Sequence, residues 1–320
     1  MAPPPLGVAF DGRTAMPALL DQARRAEAQG AATLWISDHL FLREPFATAA
    51  AVLAVTTRVR VALMAVSPHV VHPVQIAMAA ATLDELAPGR IILCLGTGAP
   101  RDLADAGVAA RGLRALRETV ALVRALLTGE TVDHDGDVFR VRGRALATGR
   151  RAVPIFLAAS GPQTLALAGA VADGVVLSST SSVEFVRWSL EQVDARAKGR
   201  ALTRAGLVYA SVAEREADAL RRFRRNLAIT LRGPHHTLNV KLGGGVLDQA
   251  ALDDAVSGGD WPRAEALITD DLVRRHTASG TAAQVQERLL AYRAVGLEEI
   301  VLAGLAGADE TALTLAALAG

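Results

Sequence analysis

VRVALMAVSPHVVHPVQIAMAAATLDELAPGRIILCLGTG, residues 59–98, reads as strand, helix and strand in one unit. Its first run, VRVALMAV (59–66), is apolar without alternation, the pattern of a strand buried on both faces of a parallel sheet. Residues 73–87 follow as a helix that Pro88-Gly89 ends, and RIILCLG (90–96) is the next strand. The same rhythm extends in both directions. Upstream lie LGVAF (6–10), a helix over 15–29 with Leu19, Leu20, Ala23 and Ala26 at helical spacing and Gly30 as its stop, TLWIS (33–37), and a helix around 46–56. Downstream come a helix over 112–128, VPIFLAA (153–159), a helix over 162–172, GVVLSS (174–179), a helix over 183–197, a strand over 206–212, a long helix from about 214, a helix over 281–295, and EIVLAG (299–304) with a last helix behind it. Eight strands separated by helices predict an α/β fold of the (β/α)8 TIM-barrel type, one domain over 1–320. An open doubly wound sheet is the alternative, and eight evenly recurring units favour closure. Two segments interrupt the rhythm. Residues 129–150 form an excursion whose Asp135-Gly136 is a two-residue hairpin signal. Residues 233–275, with Gly243-Gly244-Gly245, His235-His236 and Trp261-Pro262, read as an insertion expected to roof the substrate pocket.

Composition narrows the function classes. The 320 residues are 51% hydrophobic and 21% charged, enough chain for a large core without staples. Lys+Arg 34 against Asp+Glu 33 leaves a formal charge of +1, so no global field favours nucleic acid or anionic lipid. Cys94 is the only cysteine, which excludes an internal disulfide framework and a cysteine-based zinc site and fits a reducing cytoplasm. The start, MAPPPLGVAF, lacks the basic and apolar regions of a signal peptide, and the longest apolar stretches fall short of a membrane span.

In a barrel the working residues stand just after the strands. Here these are Ser37-Asp38-His39, Ser67-Pro68-His69, Gly96-Thr97-Gly98, Ala159-Ser160-Gly161-Pro162 and Ser178-Ser179-Thr180-Ser181. The set is poor in charge and rich in hydroxyls and glycine, which suits a large flat ligand approached by backbone. Ser160-Gly161-Pro162 opens a helix, where free N–H groups favour an anion such as a phosphodiester, although small residues also serve such turns sterically. His39 beside Asp38 is either a proton donor at the mouth or a histidine satisfying a turn carbonyl. Cys94, inside a strand, reads as an apolar filler before a nucleophile. His235-His236 lack a third metal ligand at a recognisable spacing, and Arg221-Arg222-Phe223-Arg224-Arg225 reads as a solvated helix face. Gly96-Thr97-Gly98 is not a full dinucleotide fingerprint, and the chain has no Gly-x-Ser-x-Gly elbow, P-loop or His-Glu-x-x-His.

LWISDHL (34–40), PHVVHPVQIAMAAATLDELAPGRIILCLGTG (68–98), VPIFLAASGPQTLALAGAVADGVVLSS (153–179) and ASGTAAQVQERLLAYRAVGLEEIVLAG (278–304) together resemble the bacterial-luciferase-like oxidoreductases, in particular the branch that uses the deazaflavin coenzyme F420. The similarity covers about residues 6–212 and 278–304, with 233–275 unmatched. The resemblance implies a (β/α)8 barrel, a homodimer and a small-molecule substrate. It places Asp38 and His39 near the deazaflavin ring, with His39 taking part in catalysis, and a non-proline cis peptide near Met64-Ala65 behind the ring with Ser67 beside it. It further places Thr97, Gly98 and Asp102 along the ring and side chain, Ser160, Gly161, Gln163 and Thr164 at the phosphodiester, and Ser178 where the substrate or cofactor tail passes.

Departures from the pattern matter equally. The sugar-phosphate dehydrogenases of the branch carry a tryptophan, a glutamate and a phosphate-binding lysine where this chain has Arg43, Ala99 and Ser181, which argues against glucose-6-phosphate oxidation. Cys94 falls close to the reactive cysteine of the luciferase α chain, which keeps an FMN-dependent monooxygenase open beside an F420-dependent reductase of C=C or C=N bonds. A non-catalytic barrel partner is a third reading, opposed by the intact Asp-His pair.

Overall fold

A computed structural model describes residues 5–318; Met1–Pro4 of the proline-rich start lie outside the described residues. Eight parallel strands close a barrel: β1 (Leu6–Phe10), β2 (Thr33–Ser37), β3 (Arg60–Val66), β4 (Ile91–Leu95), then, after the hairpin β5 (Val132–Asp135) and β6 (Arg140–Arg144), β7 (Ile155–Ala159), β8 (Gly174–Leu177), β9 (Thr203–Val212) and, after the short β10 (Ala278–Gly280), β11 (Glu299–Ala303). Their order is β9-β11-β1-β2-β3-β4-β7-β8, and a β8–β9 pairing shuts the ring.

The unbroken apolar runs have a simple cause. Side chains alternate across a strand, and both sides of these strands are dry. Ile92 and Cys94 of β4 point inward with Trp35, Ala62, Met64, Phe156, Val176, Ala205 and Val301. Ile91, Leu93 and Leu95 of the same strand pack outward with the helices. The inward set fills the barrel, so only its C-terminal mouth is left open to ligand.

At the opposite end a charge is buried. Glu299, 3% exposed, accepts from Trp35 Nε1 at 2.9 Å and from the Arg60 guanidinium at 3.1 Å. Gly7 leaves room for it, since a Cβ there would sit 2.7 Å from Glu299 Oε1.

The structure alters two sequence expectations and gives the form of a third segment. The hairpin at 129–150 forms, but its turn is longer than two residues, because the Glu118 carboxylate accepts from the backbone N–H groups of Asp137, Val138 and Phe139 and holds the turn open. The long helix from 214 is two, Glu216–Arg221 and Arg224–Leu231, broken where buried Phe223 turns inward. The basic run 221–225 is therefore not one solvated face. Segment 233–275 folds into short helices over 237–242, 249–257, 261–267 and 270–276, packed on Leu220, Leu227, Ala228 and Leu231 as a separate small core.

Candidate active site

Three concavities meet across the mouth. The first is a groove of about 640 Å3 between the loops after β4 and β7, lined by Thr97, Gly98, Gly161, Gln163 and Thr164 with His69. The second is a small recess lined by Asp38, Ala65, Ser67, Gly98 and Asp102, which shares Gly98 and Leu103 with the groove. The third is a cavity of about 520 Å3 on the far side, which includes Ser37, His39, Ser179, Tyr209 and Phe223.

Strand ends build the recess. The Met64-Ala65 peptide is cis, and the β3–β4 register shifts between Leu63 and Val66. Gly96 lets β4 approach this bond, because a Cβ there would lie 2.8 Å from Ala65 Cβ. Gly98 adopts φ +75°, a conformation glycine takes without steric cost, against Ser67. Asp38 N donates to the Met64 carbonyl at 2.6 Å and ties β2's end to the cis peptide. Burial is the main cause that raises the Asp38 carboxyl from 3.8 to about 6; His39 and the Ser67 amide oppose the shift, and Glu44 and Asp102 add to it. His39 Nδ1 faces Asp102 Oδ2 at 3.3 Å, so a histidine after β2 and a carboxylate after β4 close over the recess.

At the groove's other end, the helix Pro162–Val171 begins without a side-chain cap. Proline at its start has no N–H, and the amides of the first turn are free for an acceptor.

The expected site residues are thus brought together with three qualifications. Met64 contributes its backbone while its side chain faces the barrel interior. Ser160 and Ser178 line none of the three concavities; Ser179, one residue further, lines the far cavity. Segment 233–275 lines none of the three concavities, and Arg222, Phe223 and Asn226 stand in the lining of the far cavity. What 233–275 does reach is the loop after β8. Asn239 Nδ2 and His276 Nδ1 both bond the carbonyl of buried Thr180 at 2.8 Å, and Asn239 Oδ1 accepts from Ser182 N at 2.9 Å. No sequence motif marks this contact, since Asn239 lies 57 residues from Ser182. Among the described residues, no cluster of three or more His, Cys, Asp or Glu could hold a metal ion.

Cys94 is fully buried and faces the barrel interior, where burial pushes its thiol well above the ordinary range. That environment keeps it a protonated filler and not a nucleophile.

Known proteins place this architecture. The chain is 27% identical over 297 residues, 89% of each chain, to a 5,10-methylenetetrahydromethanopterin reductase of Archaeoglobus fulgidus. It is 36% identical to an F420-dependent glucose-6-phosphate dehydrogenase of Nakamurella multipartita, over 56% of this chain and 58% of that one. In three dimensions it matches the coenzyme F420 dependent tetrahydromethanopterin reductase from Methanopyrus kandleri with a TM-score of 0.89 at 20% identity, covering 99% of this chain and 98% of that one. The pattern of the family described as luciferase-like monooxygenase runs over residues 5–299, through the first seven barrel strands and up to the start of β11, and to that family the chain belongs.

Proposed function

We propose that this protein is a coenzyme F420-dependent oxidoreductase, a reductase that adds hydride and a proton to a C=C or C=N bond of a small molecule. The observation that carries the reading is the His39–Asp102 pair standing where the glycine-lined cleft meets the far cavity. The relatives' printed names, two of them F420-dependent, support the choice of cofactor.

The residues present fit that cofactor. Gly98 and Gly161 leave the cleft without side chains at two points, and no atom beyond its two chain neighbours lies within 4 Å of where a Gly161 Cβ would be. A flat ring approaches such a surface closely. Met64, Ala65 and Ser67 would back the ring, Thr97, Gly98, Asp38 and Asp102 would border it, and Ser160, Gly161, Gln163 and Thr164 would hold the phosphodiester through hydroxyls and free amides. Ser178 would lie along the tail. Bound there, reduced F420 supplies hydride from C5 of its ring and is itself oxidised by two electrons. The chain's part is to exclude water and deliver the proton. Asp102 engages Nδ1 of His39, which leaves Nε2 as the nitrogen available to a substrate in the far cavity.

The FMN alternative loses its particular support with Cys94 buried and inward. Titration of the purified protein with F420 and, separately, FMN, followed by ring fluorescence, tests the reading. Tight F420 binding with little FMN binding is expected. Preference for FMN would overturn it, and binding of neither would return the non-catalytic partner.

A pH effect follows from Asp38. Its folded-state pKa is raised, so the ionised form is disfavoured in the fold and stability falls as pH rises from the ordinary carboxylate value through about 6. Asp38→Asn removes that loss. Relative to the unaltered chain it should gain stability between pH 4 and 6 and hold a constant advantage of about 2 kcal/mol above, after allowance for solvent screening. Denaturant melts across this range check the sign; an advantage independent of pH would exclude Asp38 as its source.

Two broader features belong to the same proposal. A reducing cytoplasmic setting rests on the single cysteine, and no helix among the described residues is long and apolar enough to cross a membrane. A homodimer rests on family resemblance and on half-exposed Met78 and Leu86 along one helix; light scattering giving the mass of one chain would reject it.

A further inference from the structure

We propose that the cavity beside His39 takes an electrically neutral, flat ring laid against a wall whose open face is Tyr209, backed by buried Phe223. The inference rests on the reading above for the reaction and adds the class of substrate.

The wall comes from two distant pieces of chain. Tyr209 stands on β9 and Phe223 at the break between the two helices that follow, with ring centroids 4.9 Å apart and planes 30° from parallel. Gly304, after β11, is what lets them meet there. Its φ is +82°, and a Cβ would lie 2.5 Å from the Phe223 ring and 2.9 Å from that of Tyr209. An aromatic face of this kind favours a flat, polarisable partner.

Charge decides the rest. Besides His39, the charged groups of the lining are Asp11, Arg13 and Arg222, and each already has an answer in the protein. Asp11 and Arg13 face one another at 3.7 Å. The Arg222 guanidinium makes a two-pronged bond to the Glu310 carboxylate and donates to the Gly304 carbonyl at 2.6 Å. An incoming carboxylate or phosphate would have to compete with Glu310 for Arg222. An incoming cation would find only Asp11, whose side chain is 64% exposed and screened by water. Arg43, the nearby arginine on the loop after β2, is spent on the carbonyls of Gly12 and Arg13 at 2.9 and 2.8 Å. The polar groups left for a substrate, Thr14, Ser37, Ser179, the Tyr209 hydroxyl and Asn226, are neutral and suit a carbonyl or imine.

Calorimetric titration of the whole protein with a matched pair tests this: 2-cyclohexen-1-one, and the same ring bearing a carboxylate, 3-oxocyclohex-1-ene-1-carboxylate. Both are titrated with and without F420. The neutral ring should bind at least about tenfold more tightly than the anion. Tyr209→Leu should weaken the neutral ring about threefold to tenfold. Glu310→Gln keeps an oxygen for the Ala306 amide but frees the Arg222 charge, so it should shift the preference toward the anion by about tenfold. Circular dichroism confirms that both variants are folded. Equal binding of the two rings, tighter binding of the anion by the unaltered protein, no measurable binding of the neutral ring, or an unchanged preference in Glu310→Gln would overturn the proposal. Failure to bind F420 with the ring preference intact would sink the cofactor reading alone, and F420 binding without the preference would sink this one alone.

Discussion

His39→Ala lowers turnover by about 100- to 10,000-fold, the range lost with a positioned proton donor, and leaves F420 affinity unchanged. The expectation follows from where the ring stands. His39 is on the rim between the two halves of the mouth, its side chain 50% exposed, with Nδ1 toward Asp102 and nothing in the protein that needs it for packing. Truncation should therefore remove a proton path and little else. Asp102→Asn is the companion variant. Asp102 acts through His39, so its loss should lower kcat by less than the loss of the ring and displace the pH profile, while KM changes little. Single-turnover oxidation of reduced F420, followed by absorbance beside the binding titration, separates the cases. Unchanged turnover in His39→Ala would remove the histidine from catalysis. Turnover and F420 affinity lost together would make it a cofactor-holding group.

Glu299→Ala should be the most damaging single truncation at the closed end of the barrel. It strands the N–H of fully buried Trp35, at about 1–3 kcal/mol, and takes from Arg60 the carboxylate it pairs with in the strand layer. Arg60 is 41% exposed and regains water, so the full 3–5 kcal/mol of a broken buried pair is discounted to a total of about 3 kcal/mol. For a chain of this size that is a fall in melting temperature of roughly 4–5 °C. Glu299→Gln retains an acceptor for Trp35 and should recover at least half of the loss. Activity per folded molecule should be preserved, because the mouth lies at the other end of the strands. Melting temperatures for the two variants decide the matter: equal losses would assign the stability to charge, and no loss in either would show that the Trp35 hydrogen bond contributes nothing.

Much of the barrel is legible in the chain, and the reason is local. A strand dry on both faces must be apolar throughout, as RIILCLG is, and a helix laid outside it must be stopped before the next strand, as Pro88-Gly89 stop one. Chemistry-bearing loops then fall at known places, and Asp38, His39, Thr97 and Gly98 could be singled out from their position after a strand. The break at Arg222-Phe223 was not legible in this way. Nothing in the composition of 214–231 forbids one long helix; Phe223 turns in because Gly304, 81 positions later in the chain, has left a hole its ring fills. The hairpin turn at 136–139 is similar, since Asp135-Gly136 signals a tight turn and only Glu118, on a preceding helix, spreads it.

By itself, then, the sequence determined the barrel, its order of strands and helices, the mouth residues and the absence of a disulfide framework, because those depend on periodicity, turn chemistry and composition within a few residues. The tertiary structure alone decided which way Cys94 faces, which loops meet over the recess, that 222–226 and not 233–275 wall the far cavity, and that Arg222 arrives there already neutralised by Glu310. Each of those is a contact between residues far apart in the chain. Its energy depends on distance and burial in the closed fold, and neither quantity exists until the barrel has shut.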